Sequence, residues 1–304
     1  MREKDFISII KSTLDSEYIG DDCAYLKDLG IVVTQDNLVE DVHFLRNSIT
    51  PFQLGYKSVM VNISDVCASG GAIKYLTVGL SVPDNVDGNF TKEFYEGAKT
   101  ACGSFAEIVG GDVTLSDKIF VSVCAIGKTQ GCKISSRKNA KTGYKVVVSG
   151  VHGSSSAGLK LILNGKKEPE NLIKAHLMPK AQVEFCRQIA QNVSVDYAMM
   201  DTSDGLMDAL STIANESGVL LEIDFDKIPC VDVLKQFDDW QNLVLFGGED
   251  YGIIAVIPES LNCGGIVIGR VKDGLGVDLI LNGKVLHYSK KDVEEKIFNH
   301  FKKD

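Results

Sequence analysis

No stretch of this 304-residue chain comes near the ~18 consecutive apolar residues that a membrane-spanning helix needs. Its start, MREKDFISII, carries charges where a signal peptide would place its apolar region. No run of like charge exceeds a few residues and the formal net charge is −9, which argues against nucleic acid or an anionic membrane as the main partner. The eight cysteines, at 23, 67, 102, 124, 132, 186, 230 and 263, include no C-x-x-C pair and none at zinc-finger spacing to a histidine. A disulfide framework and a structural zinc are therefore disfavoured. Isolated cysteines beside small apolar residues read as buried and reduced, so a soluble cytoplasmic protein is expected.

The usual phosphate cradles are also missing. Gly127-Lys128-Thr129 looks like the end of a Walker A sequence, but Ser122 stands where its first glycine belongs. No G-x-G-x-x-G follows a strand, and neither a serine elbow nor H-E-x-x-H occurs, so serine and zinc hydrolases are disfavoured.

What is present is ordinary globular composition, 44% hydrophobic and 24% charged, in a chain long enough for two domains. Periodicity predicts helices over 6–14, 51–69 and 89–106, with strands over 23–26, 31–36, 73–82, 108–112 and 118–127. Pro51 fits a first helical turn and Gly70-Gly71 a stop. Residues 131–143 are rich in Lys, Ser, Asn and Gly without apolar periodicity, which reads as a connection. The expected domains are 1–137 and 138–304. The second half predicts strands over 145–149, 219–223, 251–257, 265–271 and 277–281. Its helices are expected after the small-residue stretch 150–158, over 180–192 and 206–217, and ending at 297–301. Both halves read as α/β.

Acidic residues recur beside Gly, Ser or Asn at the ends of apolar runs: Gly20-Asp21-Asp22, Thr34-Gln35-Asp36, Ser64-Asp65, Gly111-Asp112, Asp201-Thr202-Ser203-Asp204 and Gly248-Glu249-Asp250. Any one of them is a turn or cap signal. Several at element ends, where α/β folds build their sites, point instead to carboxylates gathered round divalent cations, since five or six anions repel one another in one pocket.

Taken in order, IGDDCAYL, TQDNLVEDVHF, GYKSVMVNISDVCASGG, IVGGDV, SSRKNAKTGYKVVVSG, SSSAGL, HLMP, MDTSDGL, FGGEDYG and IFNHF resemble the thiamine-monophosphate kinases. Their superfamily also holds aminoimidazole ribonucleotide synthetase, selenophosphate synthetase and a hydrogenase-maturation protein. The resemblance implies a two-domain aminoimidazole-ribonucleotide-synthetase-like fold, with an N-terminal mixed sheet that dimerises and a C-terminal α/β domain. It implies an enzyme that uses ATP and Mg2+ to phosphorylate thiamine monophosphate directly. The implied metal positions are Asp22, Thr34, Gln35, Asp36, Asp65, Asp112, Asp201 and Asp204, of which Asp65, Asp112 and Asp204 are catalytic. ATP contacts fall on Tyr95, Gly111, Asp112, Arg137 and Ser203, and substrate contacts on His43, Glu249 and Phe298. Lys57 and Asn62 are implied neighbours of the phosphates.

The chain departs from the family pattern at Asp41, where a glycine is usual, and at Gln35, Val113, Lys180 and Gly252. Two alternatives stand beside this reading, a sister enzyme acting on another acceptor and a non-catalytic nucleotide-binding regulator. No cysteine precedes Asp22 and the last is Cys263, which disfavours the selenophosphate and hydrogenase-maturation chemistries.

Overall fold

The structure, a computed structural model, describes residues 3–298. Residues 299–301 of the terminal IFNHF stretch lie outside the described residues. The first half runs α1 (Glu3–Leu14), β1 (Ala24–Leu26), β2 (Ile31–Val39), α2 (Pro51–Ala68), β3 (Ala72–Val82), α3 (Gly88–Cys102), β4 (Glu107–Leu115) and β5 (Phe120–Lys128). Its strands form a mixed sheet in the order β1-β2-β5-β3-β4, parallel only between β3 and β4.

The second half continues with β6 (Lys145–Ser149), α4 (Ser154–Leu163), α5 (Glu170–Leu177), α6 (Val183–Asn192), β7 (Ala198–Asp201), α7 (Leu206–Ser217) and β8 (Leu220–Asp224). Then come α8 (Trp240–Phe246), β9 (Ile253–Ile257), β10 (Ile266–Lys272), β11 (Gly276–Leu281), β12 (Lys284–Tyr288) and α9 (Lys290–Glu294). Its sheet is ordered β12-β11-β8-β10-β6-β9-β7. Among the described residues no helix is long and apolar enough to cross a membrane.

Helix α2 joins the halves. Thr50 caps it through a reciprocal capping box with Gln53, Pro51 supplies the first turn, and Gly70 at φ 85° follows its end. Twelve of its residues are buried, the polar Lys57, Ser58, Asn62 and Ser64 among them, so the helix is enclosed on several sides. One neighbour is α3, approached so closely that a Cβ on Gly55 would lie 1.9 Å from Phe94 O, and one on Gly97 1.9 Å from Phe52 O. Only glycine permits that crossing. Val59, Ile63 and Val66 share a core with the first sheet and with Val147, Met199, Ile253 and Ala255 of the second. The intervening Val146, Val148, Met200, Ile254 and Val256 face the other core, against α7. Burial on both faces explains why β6 and β9 read as continuous apolar runs.

Several boundaries differ from expectation; helix 180–192, for one, begins at Val183, and strand 31–36 runs on to Val39. Helix α3 ends at Cys102 rather than at 106, because Gly103 turns the chain at φ 51°. Helix α4 begins at Ser154, inside the small-residue stretch 150–158 after which it is expected. There the small residues serve packing, since a Cβ on Gly158 would lie 2.1 Å from Leu172 O of α5. The C-terminal helical segment is α9, which ends at Glu294.

Candidate active site

Three aspartates from distant stretches meet beside α2. Asp22 lies just before β1, Asp65 in the last turn but one of α2, and Asp201 at the end of β7. Each offers a carboxylate oxygen within 4.8 Å of the others. Thr34 on β2 donates to Asp65 Oδ2 at 2.7 Å, and Ser64 Oγ to Asp201 Oδ2 at 2.7 Å. The Ser203 hydroxyl and amide both donate to Asp201 Oδ1, at 2.7 and 3.2 Å, in a turn that fixes the carboxylate. Asn62 on α2 accepts from the Asp36 amide at 3.1 Å and so holds β2 to the helix.

Burial pushes the Asp65 carboxyl well above the usual carboxylate range, and the charges of Asp36, Asp201 and Asp22 push it further. Asp22 is raised to about 7, again chiefly by burial and against the lowering effect of Arg137. Like charges this close and this dry need a counter-charge. The all-oxygen donor set, three carboxylates and a hydroxyl, fits a hard divalent cation such as Mg2+.

Arg137 borders this cluster. Its Nη2 donates to Asp22 Oδ1 at 2.6 Å, while its backbone amide and the Ser136 hydroxyl donate to Asp21 at 2.8 and 2.9 Å. Ser217 Oγ donates to the Arg137 carbonyl at 2.7 Å, tying the crossing segment to α7. Arg137 Nε is buried without an acceptor among the described residues, a donor left over beside a candidate phosphate site.

A second polar cluster lies toward the other end of α2. Lys57 Nζ is 3.0 Å from Glu249 Oε1, and His176 Nδ1 of α5 is 3.3 Å from Glu249 Oε2. Burial raises the Glu249 carboxyl, but the charges of Lys57, His176 and His43 outweigh it and keep the group below its usual value. The preceding loop is strained, with Glu249 at φ 64° and Tyr251 at φ 50°. It is held by Asp250, whose carboxylate accepts from the Gly153 and Ser155 amides at 2.6 and 2.8 Å, at the start of α4. The buried Tyr251 phenol is pushed well up by burial, then by the charges of Glu249, Asp36, Asp201 and Asp65.

The AIR synthase related protein N-terminal domain matches residues 20–129, and the C-terminal domain of the same proteins matches 141–279. The chain belongs to the AIR synthase related family. Among family members, the thiamine-monophosphate kinase of Aquifex aeolicus is 38% identical over 97% of this chain and 96% of its own. That of Bacillus subtilis is 33% identical over 93% of each. The solved structure of AaThiL complexed with AMPPCP and TMP matches with a TM-score of 0.87 at 36% identity, covering 99% of this chain and 97% of that one. A HypE–HypF complex matches at TM-score 0.78 but 18% identity, and so shares the fold alone.

Of the residues that the family resemblance singled out, the fold brings Asp22, Thr34, Asp36, Asp65, Asp201, Ser203 and Arg137 to one place. It sets Glu249 and His43 in the second cluster, where His43 Nδ1 accepts from the Val39 amide at 3.1 Å. Others lie elsewhere. The Gln35 side chain turns to the opposite face of β2 and donates to Ser122 Oγ at 3.0 Å. Gly111 and Asp112 lie on β4, the far edge of the first sheet, where Asp112 pairs in register with Gly79. Tyr95 on α3 packs edge-on to Phe94, Asp204 is exposed in the turn before α7, and Phe298 is 72% exposed. Lys57 belongs with Glu249 rather than beside the carboxylates.

Sequence reasoning missed Asp21, His176, Tyr251 and the structural part played by Asp250. The signals for them were IGDDCAYL for Asp21, HLMP for His176 and GGEDY for Asp250 and Tyr251.

Proposed function

We propose that this chain is a kinase that transfers the ATP γ-phosphoryl group in line to thiamine monophosphate, giving ADP and thiamine diphosphate. The observation that carries the reading is the buried trio Asp22, Asp65 and Asp201, lodged beside α2 in a family whose thiamine-monophosphate kinases cover almost the whole chain. Mg2+ held by these carboxylates supplies charge neutralisation to the phosphate oxygens. Arg137 is placed to contribute positive charge to the nucleotide phosphates once Asp22 is engaged elsewhere, and its unused Nε is a donor for them. Ser203 orients Asp201, and Asp36 adds negative charge at the same floor. The acceptor is a phosphate monoester, largely dianionic near neutral pH, so positioning and charge neutralisation are the protein's main tasks. Glu249 and His43 meet the acceptor's other end, with Phe298 as a stacking partner.

Asp112 and Gly111 enter this reading through a second copy of the chain. Register places Asn37, Ser122, Gly79 and Asp112 in one row across β2-β5-β3-β4. Three strand spacings put Asp112 about 14 Å from β2 on its own chain. That row faces away from α2, and Tyr75 on the same face is 41% exposed, while Val113 and Leu115 at the β4 edge are 63% and 77% exposed. Pairing the first sheets of two copies along this face and the β4 edge in a homodimer would cover these apolar residues and bring Asp112 and Gly111 toward a shared nucleotide site, with Asp204 and Tyr95 as further contacts of the same reading. The domain boundary is placed at Arg137 and the protein in the cytoplasm.

ADP release tests the reading. It should require Mg2+ and thiamine monophosphate together. Release with a different phosphorylated acceptor would favour a sister enzyme, and nucleotide binding without release would favour a regulator.

A further inference from the structure

The ion pair between Lys57 and Glu249 stands apart from the carboxylate trio. Lys57 lies on α2 eight residues before Asp65, which at 1.5 Å per residue is about 12 Å along the helix axis. Its ammonium is 1% exposed, whereas the Glu249 carboxylate it meets at 3.0 Å is 27% exposed. A lysine is rarely buried so fully without a task, because its charge must be repaid by a fixed partner. Here the partner is also fixed. Glu249 sits at φ 64°, its amide donates to Ser203 O at 2.6 Å, and the next residue, Asp250, is bonded to two amides at the start of α4. His176, 3.3 Å from the other Glu249 oxygen and 3.1 Å from Ser155 Oγ, closes the remaining side. Burial, and then the charge of Lys57, push its imidazole down to about 4, and Lys57 supplies the ammonium that meets the carboxylate directly.

We infer that Lys57 and His176 are positioning residues that hold the Glu249 carboxylate ionised and aimed into the cleft at a set distance along α2 from Asp65. The acceptor is thereby selected by the span from its phosphate to a hydrogen-bond donor at its other end. This rests on the proposed kinase reading, in which that donor is the 4-amino group of the pyrimidine. A carboxylate accepts from an amino group and repels a carbonyl oxygen in its place, so the arrangement discriminates between the two. Lys57 comes from the first half of the chain and Glu249 and His176 from the second, so the span also depends on how α2 is seated between the sheets.

The test compares kcat/KM for thiamine monophosphate with that for oxythiamine monophosphate, which carries oxygen in place of the 4-amino group. The wild type is expected to prefer the amino compound by at least about 100-fold, as sites built round a specific hydrogen bond do. Lys57→Gln should lower that ratio by at least about tenfold, through KM rather than kcat, the size expected when a hydrogen bond to a charged group is lost. Glu249→Gln should lower it similarly, and the double variant no further, because Lys57 acts through Glu249. A wild-type ratio retained by Lys57→Gln, or independent losses that multiply in the double variant, overturns the inference while leaving the kinase reading in place. A wild type that turns over neither acceptor overturns both. Where Lys57→Gln does not yield folded protein, His176→Gln gives the same readout, with a fall of at least about threefold expected and an unchanged ratio counting against the inference.

Discussion

Replacing Asp65 by asparagine should make the metal-free protein more stable and the enzyme inactive, and the sign of the first effect is the informative one. Carboxylate oxygens of Asp22, Asp65 and Asp201 lie within 4.8 Å of one another. Two unit charges at that distance and an effective dielectric of ~20 repel by about 3.5 kcal/mol, so a fully ionised Asp65 facing two ionised neighbours would carry about 7 kcal/mol or more. The protein relieves part of this by keeping a proton on the cluster, as the raised Asp65 and Asp22 carboxyls show. A neutral amide of the same shape removes the remainder and still accepts from the Thr34 hydroxyl at Oδ1. A gain of about 1–3 kcal/mol is expected, or a rise in Tm of roughly 3–8 °C in EDTA. Differential scanning calorimetry with and without Mg2+ reads it. In the wild type Mg2+ should raise Tm, and in Asp65→Asn that rise should largely disappear while ADP release falls by at least about 1,000-fold. A lower Tm in EDTA for Asp65→Asn would show that the carboxylate is there for structural hydrogen bonding and not to receive a cation. Near-normal turnover would remove Asp65 from the site altogether.

Complementation tests the shared site: Asp65→Asn and Asp112→Asn are each expected to be inactive, yet after mixing and subunit exchange about a quarter of wild-type activity should return. Half the dimers are then mixed, each with one intact site of two; no recovery despite exchange would place Asp112 outside the partner's site. Gly97→Ala or Gly55→Ala should cost at least ~2–3 kcal/mol, since the new Cβ meets a backbone carbonyl at 1.9 Å, and a urea midpoint close to wild type would contradict the crossing of α2 and α3. His152 is fully buried, which pushes its imidazole from 6.5 down to about 4. Its folded pKa is depressed, so below pH 6.5 the unfolded chain binds a proton that the native state refuses, and stability falls as pH drops from 6.5 to about 4. The loss amounts to about 3 kcal/mol. Denaturant curves across that window should be correspondingly flatter for His152→Gln, and parallel curves would refute the assignment.

The elements that build the core were legible in the sequence because their signals are local. Pro51 and Gly70-Gly71 bound α2, and the apolar runs at β6 and β9 announce strands. The carboxylate trio was legible in part. Gly20-Asp21-Asp22 reads as a turn carrying two acids, but nothing local says that Asp21 will bind the Arg137 amide while Asp22 turns to the metal floor. Asp112 shows the same limit more sharply. Its Gly-Gly-Asp context resembles the others, and only the strand order reveals that it sits at the far edge of the sheet from Asp36.

Asp41 and Lys57 mark where family pattern and tertiary structure exchange information. The family's usual glycine at position 41 is explained by a backbone φ of 67°, which aspartate tolerates better than most residues and which Lys118 supports through an ion pair at 2.9 Å. The departure therefore changes the cost of the turn and not its path, so His43 two residues on keeps its bond to the Val39 amide. Lys57, by contrast, reads from sequence as a phosphate neighbour because it shares a helix with Asp65. Helical rise separates them by about 12 Å, and the partner that gives Lys57 its role lies in the other half of the chain. In the proposed reading, a helix that carries Asp65 at one end and holds Glu249 toward the other fixes both ends of the acceptor with one rigid element, and substitutions along α2 between them should alter acceptor choice before they alter the use of ATP.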